Sequence, residues 1–328
     1  MQIRKLQEMG GATLLVSLPK EWIRKTELKK GSPVSIDESP DGGLVIFPAK
    51  EGNEDHHERE IDIQYPSRFS NEGLPNEITA AYLLGYDMIR ITGKDLIASK
   101  DRERIISTIK RLIGLEVVEE DALSITTQFL VDKTAVEPSK IFRRISTIVR
   151  AMISDTLRQI ASEEPNVFQS VAQRDDEVDR LHFLLVRLIR TAVREPLSAG
   201  KFGLTSIEFL DYRVAASSLE TAGDYAVELS NSVSRLGYVP RELQPKFEEV
   251  KHLLDTIQSD SVRSFIQRDF RLARKVLEDS IKLEKLIGSL RELSNDSPAE
   301  ILHLADTIER IARCQRDIAD LVSPMAPA

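Results

Sequence analysis

Two pairs of acidic residues carry the spacing in this chain best suited to chemistry. In Ser218-Leu-Glu-Thr-Ala-Gly-Asp-Tyr-Ala-Val227, Glu220 and Asp224 stand four apart inside an apolar-periodic run from about Ser206 to Arg235. On a helix this places one carboxylate a turn above the other, on one face. The earlier run Gln173-Arg-Asp-Asp-Glu-Val-Asp-Arg-Leu181 repeats the device with Asp175 and Asp179. Two such helices side by side would offer four carboxylates to one patch. Like charges at this spacing destabilise an isolated helix by about a few tenths of a kcal/mol, so the doubled pair calls for a cation or a basic partner. In a chain with 30% charged residues, solvated helix faces also acquire such pairs by chance, so a plain polar surface is the competing reading.

From Pro138 onward the sequence predicts helices at Ser139 to Glu163, Val167 to Arg194, Ser206 to Arg235, Leu243 to Ile266, Phe270 to Leu293 and Pro298 to Val322. Breaks are expected at Pro165, at Pro196 to Gly200, at Gly237 to Pro240 and at Asn295 to Pro298, with Asn295 or Asp296 as the final cap. The six fall into two sets of three. Aligning Val178 with Ile281 matches Asp175 to Glu278 and Asp179 to Lys282, and aligning Leu219 with Ile308 matches Glu220 to Glu309 and Asp224 to Arg313.

Three-helix repeats with Arg-Asp-Asp-Glu-Val-Asp-Arg-Leu on the second helix and Leu-Glu-x-x-Gly-Asp-x-Ala on the third resemble the PhoU family over about 190 residues. The resemblance implies a metal held on the bundle surface, drawn from magnesium, manganese, iron and zinc, with Asp175, Asp179, Glu220 and Asp224 as ligands. An all-oxygen set favours a hard cation such as Mg²⁺ or Mn²⁺. His182, three residues after Asp179, is placed to add a nitrogen on the same face, against the reading that it is an exposed helix residue and only polar. In the second repeat Lys282 and Arg313 replace the second carboxylates, and ion pairs of Glu278 with Arg313 and Glu309 with Lys282 are expected in place of a metal.

At the other end, residues Met1 to Lys30 hold a local balance of +4 within a chain of 328 residues and net charge −8. That asymmetry marks the N-terminus as a partner surface. Ala12 to Leu18 and Gly31 to Ile36 read as strands, Pro19 opens a helical turn to Lys25, and Asp41-Gly-Gly43 turns into a strand Leu44 to Pro48. So small a unit is marginal alone, which points to dimerisation. Arg4-Lys5, Thr13 to Leu18, Leu-Pro-Lys-Glu-Trp22, Lys30-Gly31-Ser32 and Leu44 to Pro48, in this order, resemble the AbrB/SpoVT swapped-hairpin DNA-binding domain. The resemblance implies an interleaved dimeric barrel in which Arg4, Lys5, Lys20, Arg24 and Lys25 contact DNA phosphates. A barrel that only dimerises is the alternative.

Residues 51–59 read as a polar linker; the adjacent His56 and His57 diverge and no cysteine completes a zinc set. Residues 60–132 alternate as βαβαββ, with Ile105, Ile106, Ile109, Leu112 and Ile113 forming one helical stripe, and predict a small open α/β sandwich. The single cysteine, Cys314, forms no intrachain disulfide, and no stretch has the length and apolarity of a membrane span, so a soluble cytoplasmic protein without membrane insertion is expected.

The expected architecture is multidomain α+β: a swapped-hairpin β-barrel over 1–50, the α/β sandwich over 60–132 and a PhoU-like pair of three-helix bundles over 138–322. Together the two resemblances look like the archaeal phosphate-uptake regulator architecture. They imply a homodimeric or higher-order transcriptional regulator of phosphate uptake rather than an enzyme. The rival is an adaptor that does not bind DNA and docks on a phosphate transporter ATPase or a sensor kinase.

Overall fold

The structure, a computed structural model, describes residues 3–11, 13–38, 42–48, 58–67, 73–132, 135–160, 167–194, 202–236, 239–293 and 299–322. The linker histidines His56 and His57, the breaks at Pro165 and Pro196 to Gly200, and the cap at Asn295 or Asp296 lie outside them. The chain forms two compact units, Met1–Glu58 and Arg59–Ala328.

In the first unit β1 (Gln7–Met9) pairs antiparallel with β2 (Thr13–Leu15), and Gly10 and Gly11 supply positive φ at the turn. Helix α1 (Lys20–Lys25) starts after Pro19 as expected, and β3 (Val34–Glu38) pairs antiparallel with β4 (Leu44–Pro48). The expected barrel is not closed within one chain: the described residues form two separate two-stranded sheets. None of the described residues of this unit is fully buried, and Ile3, Leu6, Met9, Leu14, Ile36 and Leu44 are exposed.

The second unit opens with a four-stranded sheet in the order β5-β6-β8-β7. Strands β5 (Glu60–Tyr65) and β6 (Met88–Gly93) run parallel, joined through α2 (Gly73–Leu83). After α3 (Ser99–Arg111), β7 (Leu115–Glu120) and β8 (Ser124–Phe129) form a hairpin, and β8 pairs antiparallel with β6. The layer closes over Ile63, Ile89, Ile91 and Ile125 from the sheet, Ile78 and Tyr82 from α2, and Ile105 and Ile109 from α3. The predicted βαβαββ order is therefore the observed one, and the predicted α3 stripe is buried except for the partly exposed Ile106 and Ile113.

Six helices follow: α4 (Pro138–Gln159), α5 (Val167–Arg194), α6 (Ser206–Leu236), α7 (Gln244–Gln267), α8 (Phe270–Leu293) and α9 (Ala299–Asp320). Helices α4, α5 and α6 pack on one another, α7, α8 and α9 do likewise, and the two sets meet through α6 against α9 and α4 against α7. The α6 seam is made of Ala215, Ala216, Ala222, Gly223 and Ala226, small side chains that admit neighbouring helices closely. Between the sets, Phe142, Tyr212 and Phe265 form a buried aromatic triad with ring centroids 4.9 to 5.8 Å apart.

The α/β layer is fixed to α5 by Arg187, which is completely buried. Its Nη1 donates to the carbonyls of Tyr82 (2.7 Å) and Tyr86 (2.8 Å) at the end of α2, and its Nη2 pairs with Asp87 at 3.0 Å. The guanidinium also lies 3.9 Å from the Phe129 ring centroid. One and two turns on, Arg190 and Arg194 donate to the Leu83 and Leu84 carbonyls. Three arginines of α5 thus donate to carbonyls at and just past the end of α2, where the Gly85 N–H also donates to Tyr82 and Arg59 also donates to Leu84. Gly85, at φ 77, makes the approach possible: a Cβ there would lie 2.8 Å from Thr191 Oγ1 of α5.

Replacing Arg187 by methionine leaves Asp87 buried without its charge partner. We expect a loss of about 3–5 kcal/mol in urea denaturation; a loss below about 1 kcal/mol would show that this tie contributes little.

Candidate functional site

Asp175 and Asp179 of α5 face Glu220 and Asp224 of α6, so the structure brings the four predicted carboxylates to one patch. Gly223 lets the helices approach there, since a Cβ on it would lie 3.2 Å from Asp175 Oδ1. That oxygen is buried and has no hydrogen-bond partner among the described residues.

The electrostatics follow from the crowding. Burial, then repulsion from Asp179, Asp224, Asp176 and Glu220, raises Asp175 to about 7. Burial likewise raises Asp179, against the pull of Arg111, and raises Glu220, to which Asp224 and Asp179 add. Asp224 is raised by burial. The side chains as placed do not converge as ligands: among the described residues no three His, Cys, Asp or Glu groups are arranged to hold a metal ion. A buried acceptor without a partner, amid four repelling carboxylates, is nonetheless the situation that a cation or a proton relieves.

His182 departs from its expected exposure. It is buried, which together with the nearby Arg213 lowers it to about 4, so it is neutral at pH 7. Its Nε2 accepts from Arg213 Nη1 at 3.3 Å, while Nδ1 lies 3.9 Å from Glu220 Oε1.

Sequence spacing gave no sign of the residues that surround the patch. Arg111, from the end of α3, reaches Asp179 at 3.3 Å and Asp176 at 3.6 Å, and Arg144 of α4 pairs with Glu177. Both lie far from α5 in the chain, and such contacts leave no periodic trace.

The second repeat needs a correction. Glu278 pairs with Arg274 on its own helix, Lys282 with Asp279, and Arg313 with Glu309, each one turn apart. The pairs that bridge α8 and α9 are Arg291 with Asp306 and Glu309, and Arg316 with Glu284. The acids are neutralised by cations as expected, but by different residues, because side chains one turn away on the same helix reach them first.

The basic candidates Arg4, Lys5, Lys20, Arg24 and Lys25 are all exposed in the first unit, the last three on the single short helix α1. Among the described residues no helix is long and apolar enough to cross a membrane.

Residues 142–233, which contain the whole acidic patch, match the PhoU domain model, and residues 9–54 match the model for the antidote-toxin recognition protein MazE, a bacterial antitoxin. A curated relative, the phosphate-specific transport system accessory protein PhoU homolog of Pseudomonas putida, is 27% identical over 180 residues. That match covers 54% of this chain and 66% of the relative, just under two thirds of its length. The crystal structure of PhoU from Pseudomonas aeruginosa matches with a TM-score of 0.50 at 15% identity, over 56% of this chain and 93% of that one. The phosphate transport system regulatory protein PhoU from Streptococcus pneumoniae gives 0.48 at 15% identity, over 56% and 91%. The helical part is thus a PhoU-type domain, with a MazE-like segment ahead of it.

The raised Asp175 has a signed consequence. Its folded-state value of about 7 lies above the ordinary 3.8, so its contribution to stability is complete below about pH 4 and is lost as pH rises through 7. Without added metal, Asp175→Asn should melt higher than wild type at pH 8, with the difference closing toward pH 5. Thermal melts across that range check this, and parallel curves would contradict it.

Proposed function

We propose that the protein is a regulator of phosphate homeostasis in which the N-terminal unit binds DNA as part of a homo-oligomer and the acidic face of the PhoU domain receives the signal as a cation. One observation carries the reading: a MazE-like segment with five exposed candidate cations precedes, in a single chain, a PhoU domain bearing a crowded carboxylate patch. The lack of a buried residue among the described residues of the first unit, with Ile3, Leu6, Leu14 and Leu44 exposed, supports assembly with a second copy, whose strands would complete the sheet.

Asp175, Asp179, Glu220 and Asp224 would hold the cation, with Mg²⁺ and Mn²⁺ best suited to four carboxylates. The bound ion would supply positive charge that lets all four ionise together. Asp175 Oδ1, buried without a donor among the described residues, supports this reading. Occupancy changes DNA affinity only if the cation prefers one arrangement of the assembly.

The name of the Pseudomonas putida relative, a transport system accessory protein, favours a second reading. In it the first unit only clamps copies together, and the PhoU domain docks on a phosphate transporter component.

Binding to DNA upstream of phosphate-transport genes, measured at several salt concentrations, separates the two. Under the first reading, a variant with Arg4, Lys5, Lys20, Arg24 and Lys25 changed to glutamine loses affinity, and its salt slope shrinks by about one per contact removed. Equal binding by both proteins, or none, leaves the docking reading. For the cation, Asp175→Asn and Asp224→Asn should each weaken Mn²⁺ binding by about tenfold or more in calorimetry; unchanged affinity would remove these residues from the site.

A further inference from the structure

A groove of about 920 Å³ opens between α3 and the first half of α5. Arg102, Lys110 and Arg111 line it from α3 and Arg180 from α5, against Glu103, Glu120 and Asp176. The cations differ in how they are matched. Arg102 is bound by Glu120 and donates to the Asp121 carbonyl at 2.7 Å, and Arg111 is shared between Asp176 and Asp179. The side chains of Lys110 and Arg180 make no ion pair or hydrogen bond among the described residues, and Arg180 Nε is shut off from solvent. Glu103 is solvent-exposed and also borders the neighbouring groove beside Pro75, so it does little to offset them.

We infer that this groove binds a small phosphate-bearing anion, with Arg180 and Lys110 as its charge partners. A planar guanidinium fork beside a mobile ammonium suits the several oxygens of a phosphoryl group, and two unmatched cations suit its double charge. The volume lies within the range of small-molecule sites and accommodates a nucleotide. Ile106 and the aliphatic stems of the arginines give an apolar wall for an organic moiety.

The groove also adjoins the acidic patch, because Arg111 belongs to both. An anion that draws Arg111 into the groove takes a counter-charge from Asp179 and so strengthens cation binding at the patch, and linkage makes the effect mutual. This coupling rests on the cation reading of the acidic face; anion binding itself does not.

Calorimetric titration of the full chain without divalent cations, using inorganic phosphate, ADP and adenosine, tests the site. Phosphate or ADP should bind and adenosine should not. Lys110→Gln and Arg180→Gln should each weaken binding by about tenfold or more, the loss expected for one charge-assisted hydrogen bond. Lys285→Gln, a surface change elsewhere, should leave it unchanged. Binding of phosphate alone identifies the free ion as the ligand, and much tighter ADP binding identifies a nucleotide. Failure of both to bind wild type, or equal affinity in the groove variants, overturns the proposal. Lys110 is exposed, so its variant carries the test even if Arg180→Gln does not fold.

Mn²⁺ titration with and without the bound anion then tests the coupling. A gain in Mn²⁺ affinity that Arg111→Gln abolishes supports it. Unchanged Mn²⁺ affinity removes the coupling while the groove stands, and absence of Mn²⁺ binding counts against the acidic-face reading alone.

Discussion

The second unit depends on one buried charge. Taking a guanidinium out of water costs several kcal/mol even after relaxation, and Arg187 offsets this with two carbonyls, the Asp87 carboxylate and an aromatic face. Each partner comes from the α/β layer while the arginine comes from α5, so the interaction cannot form unless sheet and bundle are in register. That constraint fixes where the far end of α3 lies. Arg111 consequently reaches Asp179 and Asp176, although nothing in its own surroundings in the chain prepares it for that role. The α/β layer is in this sense part of the acidic patch's environment and more than a spacer.

The two helical repeats resolve the same electrostatic problem differently. In the first, close packing at Gly223 presses carboxylates together and burial raises all four, Asp175 furthest. In the second, Lys282, Arg291, Arg313 and Arg316 lie among the acids and neutralise them locally. Exposed pairs of this kind contribute little stability each, so their main effect is to remove the repulsion that gives the first repeat its demand for a counter-charge.

Much of this was legible in the chain. The strand Leu44–Pro48 and the helix Phe270–Leu293 fall where turn glycines and apolar periodicity place them, and the acidic motifs do share one face. The hairpin strand Gln7–Met9 was missed, because three mostly polar residues carry no alternation to detect. Arg187 left a signal that could have been read: a lone charge in Phe183-Leu-Leu-Val-Arg-Leu-Ile189 has no solvated face available to it. The neighbours of Asp179 and the partners of Glu309 were not legible, since spacing on one helix does not say which distant cation tertiary packing delivers. The other N-terminal strands that form were legible as well, whereas the expected barrel is represented among the described residues by two separate two-stranded sheets.

Across the α6–α9 contact, the repeat that carries the crowded Asp175 patch meets one in which Asp279 and Glu309 are paired locally. A change of pH through 7 therefore alters the charge of the first repeat's patch at Asp175. The two repeats meet along the alanine-lined face of α6, so such a change falls on one side of that contact. Among the described residues the second repeat's Glu278, Asp279 and Glu309 each have a cation one turn away, an arrangement that the first repeat's patch does not share.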